Sequence, residues 1–295
     1  MQTPLPVSRL RVHLALVAVA LLFSLNYVAS KIGMHAFTPL TFGYLRVLGS
    51  AIVLNILPVR QRAERLTKAD WKRVAGYSLL GVVINQSLFL GGLSLTSAHV
   101  AAILMTAIPV FALAAAIVLG RERATAAKVG GITLAFAGAL LLVAREGLTG
   151  ASKSLTGDLM LLGNAFAYAL YLVLSKRDMA RLGPRRVIAR MFAAGAVIML
   201  PLAAWPLLHE PWSSLPAQAW LALALVIAGP TVGAYVLNAW ALAHAESSLV
   251  AAYTYLQPVM TAVLAATVLG ETIGSIAVVA AAVIFAGVAL SARRD

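Results

Sequence analysis

The stretch IPVFALAAAIVLGRE, Ile108 to Glu122, has a near copy later in the chain, QPVMTAVLAATVLGE, Gln257 to Glu271. Each sets a proline thirteen positions before a glutamate: Pro109 before Glu122, and Pro258 before Glu271. Both the prolines and the glutamates are 149 residues apart. The first copy runs into the basic RERATAAK, whereas the second runs into ETIGS, with no Lys or Arg. A segment written twice but charged at only one end suggests that the two copies face different surroundings.

Composition says what those surroundings are. Of 295 residues, 61% are hydrophobic and 11% charged, and the mean hydropathy is +0.91. A soluble domain carries roughly 25% charged residues, so this is a membrane protein with the bilayer as its main solvent and partner. A net charge of +13 would suggest nucleic acid in a soluble chain. Here the positive residues sit in short loops between apolar runs, where they orient helices, so no nucleic-acid partner is expected. There are no cysteines, which excludes disulfides and thiolate chemistry.

A helix needs about 20 apolar residues to cross the hydrocarbon core. Ten runs qualify: 12–31, 40–58, 72–95, 98–119, 127–144, 157–176, 187–205, 218–241, 248–269 and 273–291. They are continuously apolar, not alternating, which excludes a β-barrel. The first imitates a signal peptide, with Arg9 and Arg11 ahead of it and Ala18-Val19-Ala20 resembling a cleavage site. It continues past Ala20 and has a later counterpart, so it reads as a helix. With the N-terminus inside, eighteen of the 23 Lys and Arg lie on inner segments and three, Lys31, Arg145 and Lys153, on outer ones. That makes both termini cytoplasmic, and the richness in Ala and Leu suits a bacterial inner membrane.

Ten spans divide into two halves of five, residues 12–145 and 157–291. Five is odd, so the second half enters the membrane the other way up. The loop after Glu122 then faces the cytoplasm and is basic, and the loop after Glu271 faces outward and is not. Further matches support duplication. Phe136-Ala137-Gly138 recurs as Phe285-Ala286-Gly287, Trp71 as Trp220, Ser30-Lys31 as Ser175-Lys176, and Pro39 with Arg46 as Pro184 with Arg190. The fold class expected is therefore an all-α integral membrane protein of ten helices in two inverted five-helix repeats.

The paired proline and Leu-Gly-Glu pattern resembles the EamA family of the drug/metabolite transporter superfamily. Leu269-Gly270-Glu271 matches it outright, and Leu119-Gly120-Arg121-Glu122 carries one inserted residue, Arg121. The resemblance covers nearly the whole chain. It implies a basket of helices around a central cavity, and an exporter of amino acids or other small metabolites.

Polar groups inside a bilayer are costly and usually face a cavity or one another. The sixth run places Asn164, Tyr168, Tyr171 and Ser175 on one helical stripe. The eighth does so with Thr231, Tyr235 and Asn238, followed by Trp240, and the ninth with Tyr253, Gln257 and Thr261. Asn26 and Tyr27 on the first run join Ser78, Asn85 and Gln86 on the third. These stripes read as the lining of a substrate pathway, or else as hydrogen-bonded glue between helices, worth about 0.6 kcal/mol per contact. Pro109 and Pro258 interrupt their helices, as hinges or as static kinks. Lys31 either neutralises a substrate carboxylate or snorkels to the interface. Arg46 and Arg190 read as anchors at the openings of their helices.

All ten acidic residues fall in loops or at span ends, so no mid-span carboxylate relay for protons or sodium is expected. The chemistry points to a facilitator, or a weakly proton-coupled exporter, moving a small amphiphilic metabolite by alternating access. An amino acid, including an aromatic one, fits walls of Tyr and Trp and hydrogen bonds from Asn and Gln. No cation is expected at mid-depth, which counts against a phosphate ester. A multidrug or lipid-like hydrophobic compound exporter of the same fold is the alternative. A membrane enzyme would need a catalytic cluster, and none appears. No cofactor or metal is implied, and the duplication suggests a monomer.

Overall fold

In a computed structural model, residues 9–56, 66–121, 123, 125–148, 152–244 and 253–291 are described. Glu122 and the start of the ninth expected span lie outside them. The described residues are helical with no strand. In chain order the helices are α1 Arg9–Met34, α2 Pro39–Ile56, α3 Lys68–Leu95 and α4 Ala98–Val118. Then come α5 Ala126–Leu148, α6 Ser152–Leu182, α7 Pro184–His209, α8 Ala217–Ala241 and α9 Leu256–Leu269, and α10 Ser275–Ser291. Among the described residues, seven apolar helical stretches are long enough to cross a membrane, and shorter ones, Ala126–Gly138, Leu256–Leu269 and Val278–Gly287, fall in the three remaining expected spans.

The outside of the bundle is apolar. Leu10, Leu14, Val17 and Leu21 form an exposed stripe along α1, as do Ile198, Leu202, Trp205 and Leu208 along α7. In water such stripes would be large sticky patches, whereas against lipid tails they are at home. Trp71 and Trp220 are both half exposed near a helix start, as expected of residues at a membrane interface.

Three pairs of helical segments begin at one spacing. Lys68 to Ala217, Ala107 to Leu256 and Ala126 to Ser275 are each 149 residues apart. The backbone irregularities follow suit. A π turn, Leu79–Ile84, interrupts α3, and another, Ile227–Gly233, interrupts α8. Pro109 and Pro258 each stand two residues into a fresh helical segment. Ala107 restarts α4 after a break at Thr106, and Leu256 follows the 3₁₀ turn Tyr253–Tyr255. A proline at such a position gives up a donor that a first-turn residue would not have used.

One expectation is corrected. Arg121 reads from sequence as an insertion before Glu122. In the structure the left-handed glycines Gly120 (φ 66°) and Gly270 (φ 67°) both end their helices. Pro109 precedes its glycine by eleven residues and Pro258 by twelve. The second copy holds its extra residue inside the π turn Ala265–Leu269. The Arg121 N–H accordingly reaches back five residues, to the Ala116 carbonyl, and the Glu271 N–H six, to that of Ala265. Arg121 and Glu271 are therefore the structurally matched residues.

Helix directions follow from long-range contacts. His13 Nδ1 meets the Tyr253 hydroxyl at 2.5 Å at one end of α1, Ser24 donates to the Gln257 carbonyl midway, and Lys31 meets Glu271 at the other end. α1 and α9 thus run parallel. The end where α1 begins is called lower, the other upper.

Candidate functional site

Read from sequence, Arg46 and Arg190 are matching anchors and no cation lies at mid-depth. The structure corrects both readings. Arg46 is seven residues past Pro39, about 10 Å down α2, and only 2% exposed. Arg190 is six residues past Pro184 and exposed, with its Nη1 donating to Asn55 Oδ1 at 3.1 Å. One residue turns a helix by about 100°, so Met191, fully buried, takes the inward place in α7.

The π turn of α8 holds Arg46. Pro230 has no N–H, so the Val226 carbonyl four residues earlier loses its helical donor. The Thr231 hydroxyl supplies one, at 2.7 Å. With its proton committed there, Thr231 Oγ1 offers a lone pair to Arg46, whose Nε donates to it at 2.7 Å. Tyr235, one turn along α8, is within electrostatic reach of the guanidinium, and Tyr168 interacts with Tyr235. Tyr168 and Tyr171 have ring centroids 5.4 Å apart, and Tyr235 packs edge-on to Phe192 at 5.4 Å and Phe23 at 6.2 Å. Tyr171 also lies against Gly81 in the π turn of α3.

The remaining expected pathway residues divide into other groups. Asn26 accepts from Ser30, and Tyr27 packs edge-on to Phe89 at 5.4 Å. Asn85, Gln86 and Asn164 form a buried amide group. Gln86 Nε2 donates to Asn85 Oδ1 at 3.0 Å, and Asn164 Nδ2 to the Asn85 carbonyl at 2.6 Å. Gln257 is buried beside Ser24. Asn238 is half-buried on α8. Trp240 and Tyr253 sit near the lower end, around Val12 and Leu16.

Both ends are tied across the two halves of the chain. At the upper end Glu271 accepts from Lys31 Nζ (3.1 Å), the Ala98 N–H (2.9 Å) and His99 Nδ1 (2.9 Å). It thereby caps the free N–H groups that open α4. Lys31 is neither free in the pathway nor snorkelling. Burial alone would raise the Glu271 carboxyl, but the His99, Ala98 and Lys31 contacts outweigh it and hold the pKa at about 2. Nearby, Glu210 accepts from the Thr38 N–H and hydroxyl at the head of α2.

At the lower end Thr67 and Asp70 form a capping box at the start of α3. Asp70 also accepts from Arg73 at 2.6 Å and from Arg181 of α6, and Asp178 from Arg73 at 2.8 Å and from the Tyr77 hydroxyl. Arg121 reaches the Val173 carbonyl. Arg73, Tyr77, Arg121, Asp178 and Arg181, with Leu174 and Arg177, line a cavity of about 340 Å³. Sequence reasoning missed all of these ties. The repeated Lys and Glu positions were visible, but their partners lie up to 240 residues away.

The sequence profile described as "EamA-like transporter family" matches residues 10–144 and again 155–293. The chain belongs to this family. It is accordingly a multi-pass membrane transporter and not an enzyme. An "Uncharacterized transporter" of Archaeoglobus fulgidus is 27% identical, over 97% of this chain and 98% of that one. A "Probable amino-acid metabolite efflux pump" of Salmonella typhimurium is 27% identical, over 91% and 90%. A "Probable terminal-alkyne amino-acid exporter" of Streptantibioticus cattleyicolor is 25% identical, over 95% and 93%. A solved crystal structure at 23% identity superposes with a TM-score of 0.68, covering 97% of this chain and 98% of the other, and shares the fold.

Proposed function

We propose that this EamA-family transporter exports small amphiphilic metabolites, amino acids foremost and aromatic ones among them, across the inner membrane. The observation that carries this reading is the enclosed group of Tyr168, Tyr171 and Tyr235 beside Arg46 and Thr231. It lies where α2 of the first half meets α6 and α8 of the second, and offers flat aromatic faces and hydroxyls together. Two relatives named as amino-acid exporters or efflux pumps support the substrate class.

The ten helices form two inverted halves, supported by the shared 149-residue spacing and by a basic loop after Gly120 but not after Gly270. The lower end is cytoplasmic, and the protein works as a monomer. Alternating access opens the ends in turn. Release of the Asp70–Arg181 and Arg73–Asp178 pairs opens the inside, and release of Glu271 from Lys31 and His99 opens the outside, with Pro109 and Pro258 as the bends about which segments move. Asn26, Tyr27, Asn85, Gln86, Asn164, Asn238, Trp240, Tyr253 and Gln257 belong to the route around the Tyr group. The buried acids cluster at the two ends, so transport is facilitated or only weakly proton-coupled.

Proteoliposome uptake of labelled phenylalanine, tryptophan, threonine and methionine, with and without a pH gradient, tests this. Saturable uptake without the gradient, weakened by Tyr168→Ala, is expected. Uptake of hydrophobic cations or lipid-like compounds instead would move the substrate class while leaving the fold in place.

A further inference from the structure

Arg46 is a full positive charge enclosed at mid-depth, and the ion pairs among the described residues do not include it. A guanidinium carries five N–H donors. Its Nε–H is spent on Thr231, and Nη1 is buried with no hydrogen-bond partner. A charge without a counter-ion is costly inside a membrane protein, and charges kept there serve function by default. Among the described residues no carboxylate pairs with Arg46, whereas several are used at the two ends of the bundle.

The surroundings are built in the same sense. Thr231 is locked as an acceptor by its bond to Val226, so it holds Nε of the fork and leaves Nη1 without a partner. Ser50, one turn further along the same face of α2, is fully buried and its Oγ lacks a partner. On the antiparallel α3, Gly43 faces Leu90, which sets Gln86, one turn before Leu90, near the depth of Val47. Gln86 is 2% exposed and its Oε1 accepts nothing. An unused donor group and an unused acceptor thus lie at neighbouring depths of the bundle, the pair that a zwitterion calls for.

We propose that Arg46 is the anion-recognition residue of the transport site and binds the carboxylate of the substrate on its free Nη edge. The proposal rests on the amino-acid reading above and names the group that the site selects. A carboxylate accepts two parallel N–H bonds from a guanidinium fork, which the point charge of Lys does not reproduce. The site is sealed in this conformation and becomes reachable when the ties at one end release.

The test compares three competitors of labelled phenylalanine uptake: unlabelled phenylalanine, phenylpropionate, which keeps the carboxylate alone, and phenylalaninamide, which lacks it. In the wild type, phenylalanine should compete at roughly tenfold lower concentration than the amide, and phenylpropionate should compete too. Arg46→Gln should raise KM for phenylalanine about tenfold and bring acid and amide within about twofold, and Arg46→Lys should fall between. A wild type indifferent to the carboxylate overturns the proposal, even if neither variant folds. So does an Arg46→Gln protein that keeps the preference. If the wild type moves no amino acid, the amino-acid reading fails by itself, and thermal stabilisation by phenylpropionate against phenylpropionamide then decides. Stabilisation by the acid alone, lost in Arg46→Gln, supports carboxylate recognition, and equal shifts overturn it.

Discussion

The π turns Leu79–Ile84 and Ile227–Gly233 stand at matching places in α3 and α8, yet they are put to different uses. Gly81 and Val82 occupy the first where Pro230 and Thr231 occupy the second. In α3 the glycine keeps its N–H, and its missing Cβ lets the Tyr171 ring lie against the backbone. In α8 the proline removes the α-helical donor of the Val226 carbonyl, and the Thr231 hydroxyl that donates to that carbonyl is the acceptor that holds Arg46. The same division runs through other pairs. Arg46 is buried and Arg190 exposed, and Arg121 and Glu271 carry opposite charge after matching glycines. The comparison teaches that the π turns of α3 and α8 follow the repeat, whereas the polar chemistry built on them departs from it. Substrates are not symmetric, so the substrate site proposed between the two halves would have to break their likeness.

Thr231→Val breaks that difference most directly. It removes an acceptor from a buried charge and a donor from the Val226 carbonyl, at a cost of about 3 kcal/mol. A clear fall in detergent melting temperature and a raised KM are expected together. Melting unchanged from the wild type would mean that Arg46 is held by something else.

Glu271→Gln tests the charge after the second glycine. Its carboxylate accepts from two side chains and a helix start, so neutralising it should cost about 2 kcal/mol at pH 7 and loosen the upper tie. The folded pKa, at about 2, lies below the ordinary 4.5. The stabilisation is therefore complete above pH 4.5 and disappears as pH falls toward 2. The gap between wild type and variant should stay flat from pH 8 to 5 and narrow below that, as thermal melts across the range will show.

Gly81→Ala sharpens the backbone half of the comparison. An added Cβ would lie 2.7 Å from Tyr171 Cγ, so the ring or the π turn must shift, at about 1–2 kcal/mol. Gly76, in the same helix α3, has open space around it. Gly76→Ala should be neutral or stabilising by up to about 1 kcal/mol, and paired melts of the two variants separate crowding from helix propensity.

Much of the fold was legible because its signals are local. Apolar runs, the Pro and Gly that punctuate them and the loop charges can be read residue by residue, and the helix starts at Pro39 and Pro184 fall where the prolines place them. The site was legible only in part. The stripe of Tyr168 and Tyr171 on α6 and the inward Tyr235 were visible as 3.6-residue periodicity. The burial of Arg46 was not, because matching it to Arg190 by residue type hid a one-residue change in phase from the preceding proline. The end ties were not either, since Lys31, His99 and Glu271 meet only after folding brings α1, α4 and the end of α9 together.

That phase difference has a consequence small enough to be its own control. Arg190 is exposed, and its recorded partner, Asn55, is also held by the carbonyls of Ala51 and Ala189 through its Nδ2. Arg190→Gln should change melting by less than about 0.5 kcal/mol, as for an ordinary surface substitution, and leave transport and its acid preference intact. Met191, which holds the inward place, gives the sharper contrast. Met191→Arg would put a second guanidinium among Val82 and other buried residues of that cluster, where its carbonyl already accepts from Ser78 and no Pro-orphaned turn offers a threonine. Without an acceptor that charge should destabilise the protein far more than Arg190→Gln does. If Met191→Arg were tolerated as well as Arg190→Gln, the enclosed position of Arg46 would owe nothing to Thr231, and the asymmetry between the two π turns would lose its functional meaning.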